Sequence, residues 1–214
     1  MSLLSYLDYA GIALFAATGA LAASRKQLDM IGFLFFAVVT GLGGGTVRDI
    51  VLGRVPVFWV LNPDYILVCC AIGVVVFFTA HLVESRYRLL IWLDAIGLSA
   101  YCVMGAAKGL AATGSPTIAI VTGTLTASLG GVLRDLLANE PSVLLRPEIY
   151  ITAALLGSTV FVGLSAWGLS QDAAAVAAFE DAVMATVGDV QAFGADRQAQ
   201  RKTQGLPRLR MQLG

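Results

Sequence analysis

Two short stretches place an arginine and an aspartate directly behind glycines inside otherwise apolar sequence: GLGGGTVRDI at 41–50 and SLGGVLRDLL at 128–137. Charged groups in such surroundings are costly unless they face a cavity and pair with one another. Neighbours on a regular helix point about 100° apart, so Arg48 is not expected to satisfy Asp49, nor Arg134 to satisfy Asp135. The spacing instead predicts exchange between the two stretches, Arg48 with Asp135 and Arg134 with Asp49. Each glycine inside a helix costs about 1 kcal/mol relative to alanine. Gly43, Gly44 and Gly45, with Gly130 and Gly131 in the second copy, therefore predict bent or unwound segments whose freed carbonyls line a water-filled path. Carbonyls so arranged are ligands for a hard monovalent cation. Two plainer readings compete: the glycines let helices approach closely, and the charges sit at helix ends among lipid headgroups.

Other chemistries fit these residues poorly. The run GLGGGT lacks the third glycine of a dinucleotide fingerprint and the Gly-Lys-Ser/Thr ending of a phosphate loop, and it follows an apolar span rather than a strand. The single histidine, His81, has no nucleophile and base around it in sequence, so no enzymatic activity and no cofactor are expected. Cys69, Cys70 and Cys102 lie within apolar runs without metal-ligand spacing and read as small buried hydrophobes.

The elements that position the glycines and charges are membrane helices. The chain has 214 residues, 57% of them hydrophobic and 13% charged, with a mean hydropathy of +0.80. A formal net charge of zero gives no electrostatic footprint for nucleic acid. Crossing a bilayer core of about 30 Å takes about 20 apolar residues. Six windows qualify: 3–23, 28–50, 65–83, 89–109, 116–137 and 149–169. The first resembles a secretory leader ending in ALAAS, but it opens with Asp8 and has no basic residue before Arg25, so it is expected to be retained.

The two charged stretches recur because the chain itself is duplicated. Arg48 and Asp49 match Arg134 and Asp135 at an offset of 86 residues, and LDYAGIALFAATGA from Leu7 matches LDAIGLSAYCVMGA from Leu93 in the same register. Each copy holds three spans, so the second enters the membrane from the opposite side, the inverted-repeat arrangement of many transporters and channels. The expected fold class is an all-α integral membrane protein of two inverted three-helix repeats, 1–85 and 86–169, plus a seventh transmembrane helix at 170–193 and a flexible basic tail at 194–214. Arg25, Lys26, Arg86, Arg88 and Arg146 outnumber Arg54 and Lys108 in the loops on the other side, which places the N-terminus outside. A seventh span then brings the basic tail into the cytoplasm, although Glu180, Asp181 and Asp189 interrupt it.

With its paired three-span units and the motifs GLGGGTVRD and LGGVLRD, the sequence resembles the prokaryotic branch of the trimeric intracellular cation (TRIC) channels over residues 1–169. The resemblance implies a seven-helix protomer in a homotrimer embedded in lipid, in the inner (plasma) membrane. It also implies a separate pore for potassium, with sodium as a second ion, through each protomer, lined by the second and fifth spans bent at their glycines. A small-solute transporter, for instance of an amino acid such as glycine, fits an inverted repeat equally well.

Overall fold

The apolar runs fold into helices whose ends are marked by polar and glycine residues. A computed structural model describes residues 3–83, 85–140 and 150–203. The first unit comprises α1 (Leu3–Arg25), α2 (Met30–Val51), a four-residue α3 (Phe58–Leu61) and α4 (Asp64–Thr79). The second comprises α5 (Arg86–Thr113), α6 (Pro116–Leu137) and α7 (Tyr150–Ala166), and α8 (Gln171–Thr203) follows. Asp29 caps α2 by accepting from the Gly32 N–H at 2.8 Å. Gly114 ends α5 in the left-handed conformation, φ +65°, which a residue without Cβ adopts freely. Five of these helices are long and apolar enough to cross a membrane, and α7 is a shorter apolar one.

The chain is an all-α integral membrane protein, and its inverted repeat is visible in the packing. In each unit the first helix packs against the second and third, and across units α1 lies against α5 and α2 against α6. Phe15 and Tyr101, which are repeat mates, stack at the α1–α5 contact with ring centroids 5.0 Å apart. Each ring covers a glycine of the opposite helix: Phe15 lies over Gly97, Tyr101 over Gly11. Outward-facing Ile31, Phe35, Leu67, Phe78 and Val121 are exposed, as suits lipid rather than water.

The segment expected at 170–193 forms α8 and runs further, to Thr203, so the first ten residues of the expected tail are helical. Ala174, Ala175, Ala178, Ala182 and Thr186 form its buried face, packed on α7 and α5. Glu180 and Asp181 point away from the bundle. Its packed face carries small residues and its outer face carries acids, and among the described residues α8 is not one of the helices apolar enough to cross a membrane by length and composition. The end of the expected tail, 204–214, and the loop basic residue Arg146 lie outside the described residues.

Candidate functional site

The glycines do not unwind the helices. α2 and α6 are continuous through residues 41–45 and 130–131, which corrects the expectation of a broken segment with free carbonyls. In hydrocarbon each unpaired backbone group costs several kcal/mol, more than the roughly 1 kcal/mol that each glycine takes from helix propensity. Their use is close approach at the crossing of α2 and α6. A Cβ on Gly44 would collide with the carbonyl oxygen of Thr126, and one on Gly130 would lie 2.8 Å from the carbonyl oxygen of Thr40. Gly44 and Gly130 are repeat mates, as are Thr40 and Thr126, so the crossing is two-fold in chemistry as well as in shape. Inside each unit the same threonine meets the first helix: Cβ atoms at Gly19 and Gly105 would come within 2.6 Å and 2.7 Å of Thr40 Oγ1 and Thr126 Oγ1. Gly43 faces Leu133 of α6, Gly45 faces the ring of Phe58, and Gly131 is buried.

The charged residues are brought together, but not across the repeats. Arg48 donates through Nε and Nη2 to Oδ1 of its own neighbour Asp49, at 2.9 and 2.7 Å. Arg134 does the same to Asp135 Oδ1, at 2.9 and 2.8 Å. The expected exchange of Arg48 with Asp135 and Arg134 with Asp49 is therefore replaced by pairing within each helix. The direction of a Cβ decides little here, because the flexible arginine stem curls back and brings its planar fork to the adjacent carboxylate. All four residues are buried, at 5% exposure or less.

A second aspartate couple escaped the sequence reading. Asp8 and Asp94 are repeat mates near the starts of α1 and α5, both buried. Asp94 receives Arg134 through Nη1 at 2.7 Å. Asp8 does not receive Arg48; its Oδ2 accepts instead from Lys108 Nζ at 2.7 Å and from the Tyr65 hydroxyl at 3.0 Å. The signal was present, since Asp8 and Asp94 align in the duplicated segment. Lys108 left no such trace: its repeat mate is Ala22. Counted as a loop cation in the orientation argument, it lies within α5.

At this end of the protomer a cavity of about 490 Å³ is lined by Asp8, Arg48, Asp49, Phe58, Tyr65 and Lys108, among others. Asp49 links the cavity wall to the connection between α2 and α4, because its Oδ2 accepts from the backbone N–H of Phe58 at 2.9 Å. The Phe58 ring stands near two cations, 5.6 Å from Arg48 Cζ and 5.5 Å from Lys108 Nζ. At the opposite end, Glu140 ties α6 to α1 by accepting from Arg25 at 2.9 Å, with Lys26 at 3.7 Å. Deeper, the Tyr101 hydroxyl donates to the Gly41 carbonyl at 2.8 Å. Thr126 Oγ1 donates to the Thr122 carbonyl at 2.6 Å, whereas the buried Oγ1 of its mate Thr40 has no hydrogen-bond partner. Among the described residues no cluster of histidine, cysteine and carboxylate groups could hold a metal ion. The arrangement offers buried, internally neutralised charge on either side of a close helix crossing.

Comparison with known proteins gives this geometry a family. Residues 5–81 and 91–166 match a family model described as "Glycine transporter", one copy of the repeat in each range. A UPF0126 membrane protein of Vibrio cholerae is 36% identical over 89% of this chain and 80% of its own length. A UPF0126 inner membrane protein of Escherichia coli K12 is 41% identical over 74% of this chain and 77% of its own. Among solved structures, the TRIC trimeric intracellular cation channel orthologue from Rhodobacter sphaeroides is 50% identical, with a TM-score of 0.86 over 88% of this chain and 97% of that one. A prokaryotic TRIC channel solved in 0.5 M KCl is 27% identical, with a TM-score of 0.83 over 88% and 96%.

Proposed function

We propose that this chain, which belongs to the prokaryotic branch of the trimeric intracellular cation (TRIC) channel family, is a channel for monovalent cations, potassium with sodium as a second ion. It works as a homotrimer in the inner membrane, with a separate path through each protomer between α2 and α6. The path is lined by Gly43, Gly44, Gly45, Arg48 and Asp49 from the first unit and Gly130, Gly131, Arg134 and Asp135 from the second. The observation that carries this reading is the internal pairing of each buried arginine with an aspartate. An unpaired arginine would repel the ion it is meant to pass. A paired one leaves the wall neutral, with a carboxylate to attract the cation and a guanidinium to act as a displaceable plug. Because each pair lies within one helix, a change of arginine rotamer is enough to displace the plug. Two unit charges 4 Å apart attract by about 4 kcal/mol at an effective dielectric near 20, an energy that a gating step can overcome.

The full-length protein in planar bilayers tests this. Discrete current steps are expected in KCl, with a reversal potential that follows the cation gradient. Saturable flux that needs a small solute such as glycine, without current steps, would replace the channel by a transporter. The orientation has the N-terminus outside and the C-terminus, reached through α8 as a seventh span, in the cytoplasm. A reporter active only in the cytoplasm is expected to work when fused after Gly214; activity at the N-terminus alone would reverse the topology.

A further inference from the structure

Gly43, Gly44 and Gly45 leave notches on three faces of α2, and a different group fills each. Leu133 covers Gly43, the Thr126 backbone covers Gly44 and the Phe58 ring covers Gly45, where a Cβ would lie 2.7 Å from the ring edge. The first two belong to α6, a long helix packed along its length. Phe58 belongs to α3, a single turn with no buried residue, in the connection between α2 and α4. It is thus the one filler that can leave without repacking a spanning helix.

We propose that Phe58 is a steric gate on the ion path, carried by residues 52–63 as a lid over Gly45 in the C-terminal half of α2. The role rests on the channel reading above. Packing of Phe58 and Trp59 against the core and two side-chain hydrogen bonds hold the lid down. The Phe58 N–H donates to Asp49 Oδ2 at 2.9 Å, and the Trp59 indole N–H donates to Thr46 Oγ1 at 3.0 Å. The ring rests edge-on against Tyr65, with centroids 5.1 Å apart, and sits near Arg48 and Lys108 within cation–π range. Directly outside it lies the cavity that Asp8, Asp49 and Lys108 line.

The tie to Asp49 gives the lid its coupling to the ion. Asp49 Oδ1 is occupied by Arg48 and Oδ2 by the lid's own backbone N–H. Lifting Phe58 therefore does two things in one movement: it uncovers the notch at Gly45 and releases a carboxylate oxygen, a hard ligand suited to a monovalent cation. A cation arriving from the cavity competes with the Phe58 N–H for that oxygen and so favours the open lid. The stack of cations on Phe58 works in the opposite sense, holding the ring over the notch while the site is empty.

Single-channel recording of the full-length protein and its variants in planar bilayers tests the gate. Trp59→Phe removes the indole N–H and keeps an aromatic ring, smaller than the indole, and is expected to raise open probability about five-fold or more, the scale of one net hydrogen bond, with unitary conductance unchanged. Phe58→Leu and Phe58→Ala are expected to raise it further. Gly45→Ala, whose methyl group would push the ring away, is expected to act in the same direction although it adds bulk to the path. Elution profiles in detergent matching the parent's establish that each variant is folded, and the conservative Trp59→Phe keeps the test open should Phe58→Ala misfold. If the parent conducts and folded Trp59→Phe and Phe58→Leu proteins both keep its open probability, the lid is overturned and the channel stands. A parent that passes no ion under any condition overturns both.

Discussion

Alanine at Gly44 is expected to destabilise the protein by about 3 kcal/mol, the upper end of what one added methyl group costs in a well-packed interior. The methyl group would meet the Thr126 carbonyl oxygen, which is backbone inside a continuous helix and has no rotamer to change. Relief requires α2 and α6 to move apart, and that strains the mate contact between Gly130 and Thr40 as well. Gly130→Ala is therefore expected to produce a similar loss, and the double variant less than the sum of the two, because one separation relieves both collisions. Gly163→Ala is the control, since nothing lies within 4 Å of its added methyl group and alanine is the better helix former. Thermal unfolding of the purified protein in detergent measures all four. A Gly44→Ala protein that melts with the parent would show that the crossing is loose and that the glycines serve something other than contact.

Arg134→Ala is expected to cost more than Arg48→Ala, although sequence alone makes the two arginines equivalent. Arg134 holds two buried carboxylates, Asp94 and Asp135, whereas Arg48 holds one, Asp49. Removing one partner of a buried ion pair typically costs 3 to 5 kcal/mol, because the remaining charge is left uncompensated. Adding Asp94→Asn to Arg134→Ala is expected to recover part of the loss by deleting one of the two carboxylates that the guanidinium neutralised. The same comparison bears on conduction. If a guanidinium is the plug, folded Arg48→Gln should conduct more readily than the parent, and Asp49→Asn should conduct less or select less well. Equal melting temperatures for Arg134→Ala and Arg48→Ala would remove the distinction drawn between the two ends.

Much of the architecture is legible in the sequence because a bilayer leaves few choices. Twenty apolar residues with no water to satisfy their backbone become a helix, and an odd number of spans per repeat forces the inversion. The register that pairs Gly44 with Gly130 and Asp8 with Asp94 can be read from the duplication alone. What could not be read depends on which neighbour covers a residue. A glycine run weakens an isolated helix, but Gly44 and Gly130 sit against carbonyls of the facing helix, and that packing keeps both helices whole. Cβ directions argue against an Arg48–Asp49 pair, yet the long guanidinium stem turns back within its own helix. The acids of α8 hide from a composition average the alanine face that packs on α7. Phe58 and Trp59 lie in what reads as a connecting loop; only their contacts with Gly45 and Thr46 make them part of the site.

Lys108 has a consequence for the molecule as a whole. Two identical units related by a two-fold axis in the membrane would make a protomer with interchangeable ends, indifferent to which leaflet it faced. The Lys108–Asp8 pair has no counterpart, because alanine occupies the matching position, residue 22. One aspartate of the duplicated pair is thus satisfied by an arginine of its own unit and the other by a lysine borrowed from the opposite unit. That exchange gives the protomer a polarity along the membrane normal, because the buried charges at its two ends are not the same.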